Sequence, residues 1–246
     1  MGSKLNVGID INEVFRAKWL QFDRFYVQEF GDEGVPKTNP YMYDLFNSYE
    51  WKDKTEEIKE LKEPEDMPND ITPLDYQLDN NTGESKADYI LFKKPEKNHL
   101  PAKEVYNRFM YEDYVFEIHA SAPIMYKGMD LHVNNFHDKY QNSANFTLLS
   151  VENKYSIPPT LFFLSKMISR FRSYQFVNKS LDMWNHVDLL ITSDPEILKL
   201  GKPWGKNLIK VRRPYNENIK FSGLEILQIN DLIGNKDFEK IIKYKK

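Results

Sequence analysis

The sequence predicts an α/β fold: a Rossmann-like parallel sheet with flanking helices, interrupted by a cap-like insertion after the first helix. Three observations predict it. Residues Leu5 to Ile11 form a short apolar run carrying an aspartate near its end, and they lead directly into an amphipathic pattern at helical spacing. In the second half of the chain, short apolar runs alternate with helical patterns, the order expected of strands joined by crossover helices. Those runs are apolar on both faces, as parallel strands buried between helix layers must be.

The first run is a strand, and the helix behind it places Phe15, Trp19, Phe22, Tyr26 and Phe30 on one face before Gly31, Gly34 and Pro36 stop it. From about Val35 to Pro101 periodicity is poor, with charge clusters around Glu56–Glu65 and a turn at Asn80-Asn81-Thr82-Gly83. A connection this long is either functional or held by a partner. Pro101 opens a helix through about Ile118 with Val105, Phe109 and Phe116 facing the core. Phe146–Ser150 is a strand ending in a hydroxyl. Ser156 with Pro158-Pro159 opens a helix bearing Leu161, Leu164, Ile168 and Phe171. His186–Thr192 is the next strand, Pro195–Leu200 a helical turn, Asn207–Val211 another strand, and Asn235–Tyr244 the last helix. The expected organisation is a core of residues 1–34 and 119–246 with an insertion at 35–118. The Leu5–Ile11 strand is expected at the centre, flanked by Phe146–Ser150 and Val187–Thr192.

Composition narrows the function classes. The chain has 246 residues, longer than the usual domain of ~100–150 residues yet short enough for one main core. With 34 basic and 37 acidic residues its net charge is −3, so no overall field draws it to nucleic acid or to an anionic membrane. The absence of cysteine excludes disulfides and thiolate metal sites. The opening MGSKLNVGID lacks the apolar stretch of a signal peptide and no run is long enough to span a membrane, so synthesis in the cytoplasm is expected.

In open α/β sheets ligands bind beyond the carboxyl ends of the strands, where Asp10, Ser150, Thr192 and Asp194 all fall. Other chemistry has little support. The histidines form no helical metal pair, His132 with His137 reads as a surface loop, and glycine-rich phosphate loops are absent. Arg212-Arg213 is read as a phosphate contact or, more simply, as surface charge.

The order of these residues resembles the haloacid dehalogenase superfamily of phosphotransferases, and the long insertion after the first helix is most like its 5′-nucleotidase-type members. Val7-Gly8-Ile9-Asp10-Ile11-Asn12 is similar to the first family motif, Phe146–Ser150 to the second, Lys166 to the helix-borne lysine of the third, and Val187–Pro195 to the fourth. The resemblance implies that Asp10 stands at the nucleophile position, that Ser150 and Lys166 would steady a phosphoryl group, and that Asp10 with Asp194 would hold Mg2+. It also implies that an acid–base aspartate should stand where this chain has Asn12, whose amide cannot exchange a proton near neutral pH. The fourth motif is diluted as well, with Thr192-Ser193 ahead of its single Asp194. Each residue has a plainer alternative: Asp10 caps a helix starting near Glu13, Ser150 satisfies a turn, Lys166 lies on a solvated face with Lys154 and Lys179 competing for its role, and Asp194 caps the helix at Pro195.

General acid–base help is worth about 10²–10⁴-fold, so a chain with Asn12 is expected to be a poor hydrolase. The function expected first is therefore a catalytically degenerate protein in a structural or assembly role, such as a bacteriophage tail or neck component. Its partners would be other protein chains of a larger ring or particle, with Tyr41, Tyr43, Phe46, Tyr49 and Trp51 as interface anchors and the virion as its final location. The alternative is a magnesium-dependent phosphatase acting on nucleotides or small phosphomonoesters.

Overall fold

The computed structural model describes residues 4–31, 46, 49, 51, 100–167 and 170–243. Among these residues the strands are β1 (Leu5–Asp10), β2 (Ala144–Val151), β3 (Tyr174–Val177), β4 (Leu189–Thr192), β5 (Asn207–Val211) and β6 (Leu224–Ile226). The helices are α1 (Lys18–Phe30), α2 (Ala102–Arg108), α3 (Val115–His119), α4 (Met129–Tyr140), α5 (Ile157–Lys166), α6 (Pro195–Leu200) and α7 (Lys236–Lys243). The strands form one all-parallel sheet in the order β3-β2-β1-β4-β5-β6. This is a Rossmann-like α/β architecture, and β1 sits between β2 and β4 as the sequence predicts. Leu5 pairs with Ala144 and Asp10 with Leu149 on one side, Val7 with Leu189 on the other.

The period-two alternation of the strands divides the core. Val7, Ile9, Leu148, Ile191 and Ile209 face Val133 and Phe136 of α4, Phe163 of α5 and Phe238 of α7. Leu149, Leu190 and Leu208 face the opposite side, against Trp184, Ile197 and Leu198. Gly8 faces the second set for a steric reason: a Cβ there would come within 2.5 Å of Leu149 Cδ1 and 2.7 Å of Val187 Cγ1. Gly8→Ala is expected to lower stability by about 1–3 kcal/mol through overpacking. A urea midpoint identical to that of the parent chain would show instead that Leu149 and Val187 yield freely.

Several expected elements differ. The helix after β1 begins at Lys18 rather than near Glu13, because Glu13 takes a left-handed backbone, φ 58°, and breaks the helical path. The single helix expected from Pro101 to Ile118 is α2, a π-helical turn at Phe109–Asp113, and α3. The wider turn buries Phe109 and Met110 together, whereas Phe116 is exposed. His132 and His137 lie on α4, not in a loop.

A third apolar cluster joins α1 to residues 106–118. Phe22, Tyr26, Phe109, Met110 and Ile118 form its centre. Of the expected interface anchors, Tyr41 and Tyr43 lie outside the described residues. Tyr49 and Trp51 pack in this cluster, their ring centroids 4.9 and 5.9 Å from that of Phe22, and Phe46 packs on Tyr106 at 5.4 Å. These three rings are half-buried by their own chain. The cause is the aromatic face of α1, which offers more apolar surface than the sheet covers.

Candidate functional site

The reversal of strand order between β1 and β4 opens a crevice at the carboxyl ends of the strands, the usual place for a ligand in this architecture. Here the protein's own side chains fill it. Asp10, Asn12, Arg16, His119, Ser150, Glu152, Thr160, Thr192, Ser193 and Asp194 are all buried.

Asp10 ends β1. Its Oδ1 accepts the Asn12 backbone N–H at 3.1 Å and its Oδ2 accepts the Thr192 hydroxyl at 2.8 Å. It caps no helix, since α1 starts well beyond it. Burial, and then the charge of Asp194, push its carboxyl up to about 7. Asp194 is the N-cap of α6, accepting the Glu196 N–H at 2.7 Å and the Ile197 N–H at 3.4 Å, with Pro195 at the first helical position.

Asn12 is held on both ends of its amide. Its Nδ2 donates to Ser150 Oγ at 2.9 Å, and its Oδ1 accepts Arg16 Nε at 3.1 Å and a second guanidinium N–H at 2.5 Å. The Ser150 hydroxyl donates to Glu152 Oε1 at 2.8 Å. Arg16, fully buried, also donates to Glu152 at 2.5 Å, to Thr160 Oγ1 at 2.7 Å and to the His119 carbonyl at 2.9 Å. An amide suits this position because it donates to one neighbour and accepts from the other, which a carboxylate cannot do. Burial pushes the Glu152 carboxyl up, but Arg16, His119 and Lys18 together outweigh it, leaving the group well below its ordinary value. Burial pulls His119 down to about 4, although its Nδ1 stands 3.3 Å from Glu152 Oε2.

Lys166 takes no part. It is exposed on α5, its ammonium 3.4 Å from the Ala120 carbonyl and 4.6 Å from the Phe162 ring centroid. The competing Lys154 and Lys179 are exposed too. The cation whose charge acts on Asp10 is Lys18, at the start of α1, which also acts on Glu13 and Glu152. Asp188 is at the wrong end of the sheet, with Oδ2 accepting the Asn6 N–H at 3.0 Å.

Sequence reasoning missed Arg16, Glu152, His119, Thr160, Lys18 and Glu13. Only the four-residue spacing from Asn12 to Arg16 and the two-residue step from Ser150 to Glu152 carried a local signal. Glu13 is 3% exposed, its Oε1 accepts the Trp19 N–H at 3.0 Å, and its Oε2 has no hydrogen-bond partner. Burial raises its carboxyl to about 7. Its left-handed backbone is held by its own N–H on the Arg16 carbonyl at 2.8 Å and by Arg213 Nε on its carbonyl at 2.7 Å. Arg213 thus braces the loop after β1 and is not a loose surface charge. Tyr215 and Asn216 pin Ser193 from the next strand end, at 2.8 Å each.

Both oxygens of Asp10 and the capping oxygen of Asp194 are committed to protein donors. No group of three or more His, Cys, Asp or Glu side chains able to hold a metal occurs among the described residues. Asp10 and Asp194 do not by themselves make a magnesium shell, which wants near-octahedral oxygen geometry. Among the described residues no helix is long and apolar enough to cross a membrane. Compared with known proteins, the chain matches no family model, and no curated protein matches it.

Proposed function

We propose that this chain is a catalytically silent scaffold, resembling the haloacid dehalogenase superfamily, with a structural or assembly role in a larger particle such as a bacteriophage tail or neck. The observation that carries the first half is the fixing of Asn12 between Arg16 and Ser150. A general acid must reach the leaving oxygen of a substrate, and this side chain is buried, proton-inert and already satisfied. The assembly half is supported by a strand-end crevice closed by the chain's own polar network, which leaves the outer surface as the place where function is exercised.

A magnesium-dependent phosphatase for nucleotides or small phosphomonoesters is the second reading. One observation favours it: Glu13, beside the substituted position, has an unpartnered oxygen and a carboxyl raised to about 7, a value suited to proton exchange. The test is phosphate release from p-nitrophenyl phosphate and nucleoside monophosphates by the full chain with Mg2+. Release at the protein-free background, unchanged by Asp10→Asn, is expected. Asn12→Asp is expected to stay inactive, because Arg16 would hold the new carboxylate. Robust turnover abolished by Asp10→Asn and by Glu13→Gln would establish the phosphatase instead.

A further inference from the structure

Among the described residues, the loop from α6 to β5 exposes the largest uncovered hydrophobic side chain. Trp204 is 101% exposed and Leu200 beside it 66%. The loop holds its shape. The Lys206 N–H donates to the Pro203 carbonyl at 3.2 Å, closing a four-residue turn with Gly205 at φ 75° in the third position, where a left-handed residue is required. Beneath it the Lys206 ammonium is tied to the carbonyls of Trp184 and Val187. A tryptophan on a braced turn loses little freedom when it docks, and tryptophan is among the residues most enriched at the energetic centres of interfaces. Exposed Lys199 and Lys202 flank it, with the exposed Glu196 one helical turn before Leu200.

The same molecule carries a surface of opposite character. Phe116 of α3 is 47% exposed and Phe162 of α5 44%, with their ring centroids 5.2 Å apart. Glu112 and Asp113, one helical turn before Phe116, and Glu117 next to it make this ridge acidic; Arg108 offsets Asp113 at 3.3 Å. The Lys166 ammonium lies across Phe162, ready to meet the face of an indole. Trp204 precedes β5 and so sits at the amino ends of the strands. The Phe116–Phe162 patch belongs to elements that adjoin the carboxyl ends, where α3 gives its His119 carbonyl to Arg16. One copy cannot close this contact on itself.

We propose that Trp204 and Leu200 of one copy dock on the Phe116–Phe162 patch of a second copy, with Lys199 and Lys202 facing Glu112 and Glu117. The two surfaces differ, so the contact is head-to-tail and builds a ring or a filament rather than a closed two-fold dimer. This rests on the assembly reading and names one of its partners as the chain itself. A membrane would also accept a tryptophan with flanking lysines, but one indole and two free lysines on a chain of net charge −3 give weak anchoring.

The test is sedimentation velocity of the full chain over a range of concentration. Wild type is expected to form species larger than a dimer. Trp204→Glu, and separately Phe116→Glu with Phe162→Glu, should each weaken self-association by about 30-fold or more. Trp204→Glu should do so with an unchanged melting temperature, since nothing covers the side chain. Mixed together, the two variants should give a single 1:1 dimer and nothing larger, because each retains one intact half. If the Phe variant fails to fold, Lys199→Glu with Lys202→Glu mixed with Glu112→Lys with Glu117→Lys replaces it, and restored pairing supports the contact. Wild type that stays monomeric at its highest soluble concentration overturns the proposal, as does a variant mixture that stays monomeric. A monomer that joins its particle without self-association would leave the assembly role standing and remove this contact. Trp204-dependent flotation of monomer with phosphatidylserine vesicles would assign the tip to a membrane instead.

Discussion

Arg16→Met is expected to lower the free energy of unfolding by about 3–5 kcal/mol, the range for removing one partner of a buried ion pair. Arg16 and Glu152 are both wholly shielded from water, and the guanidinium also serves Asn12, Thr160 and the His119 carbonyl. Methionine fills much of the space but leaves a carboxylate without its counter-charge. The loss is dominated by that stranded charge, so Arg16→Met with Glu152→Leu should recover most of it, because a well-packed apolar pair does not carry the desolvation penalty. Urea unfolding of the two single variants and the double variant measures the coupling. By contrast, breaking the exposed Arg170–Asp138 pair should hardly move the urea midpoint. An Arg16→Met loss as small as that would mean that water reaches Glu152 and the crevice is not sealed.

Stability should fall as pH rises from about 5 to about 7.5, the reverse of what ion-paired carboxylates produce. Asp10 and Glu13 are raised from 3.8 and 4.5 to about 7, first by burial. Through that interval the folded chain binds more protons at these sites than the unfolded chain, and each proton lost on raising the pH costs stability. His119 opposes them: lowered from 6.5 to about 4, it makes the unfolded chain bind the extra proton over much of the same interval. Two groups against one leave a net decline. At about 1.4 kcal/mol per pKa unit, the Asp10 contribution alone is on the order of 4 kcal/mol. Asp10→Asn removes it, and its amide can still accept the Asn12 N–H. The variant should therefore match the parent only below about pH 4 and exceed it increasingly up to about pH 8 in thermal melting. A parent whose melting temperature climbs steadily over that range would show that Asp10 is ionised in the fold, held so by a cation.

What was legible in the sequence was local and repetitive. Leu5, Val7 and Ile9 against Leu148 and Leu189 announce buried parallel strands by composition alone, and Asp194-Pro195 announces the start of α6. The edge strands β3 and β6 escaped notice because Tyr174–Val177 and Leu224–Ile226 are short and only half-buried, so neither pattern stands out. The spacing of Met129, Val133, Phe136 and Tyr140 marks α4, yet Gly128 and the two histidines resemble a loop. The site was legible at Asp10, Asn12 and Ser150 and illegible at Arg16. Nothing near Arg16 in the chain says that its partner is Glu152, 136 residues on, or His119, 103 residues on. Lys166 fitted a sequence order but not a geometry, since a helix face is chosen by packing that spacing alone does not reveal. Tyr49 and Trp51 were read as interface anchors because aromatic residues suit both interfaces and cores, and their packing on the face of α1 was not legible from the sequence.

The central place of β1 bears on how the chain emerges from the ribosome. Both neighbours of this strand lie far downstream, β2 beginning at Ala144 and β4 at Leu189. Until those segments have been synthesised, Leu5, Val7 and Ile9 have no sheet to join, and a bare apolar strand with free backbone groups on both edges is a template for wrong pairing. Non-local parallel pairing is slow to form because the intervening loop must close first. The nascent chain therefore carries this apolar segment without a sheet to join until β2 and β4 have been added.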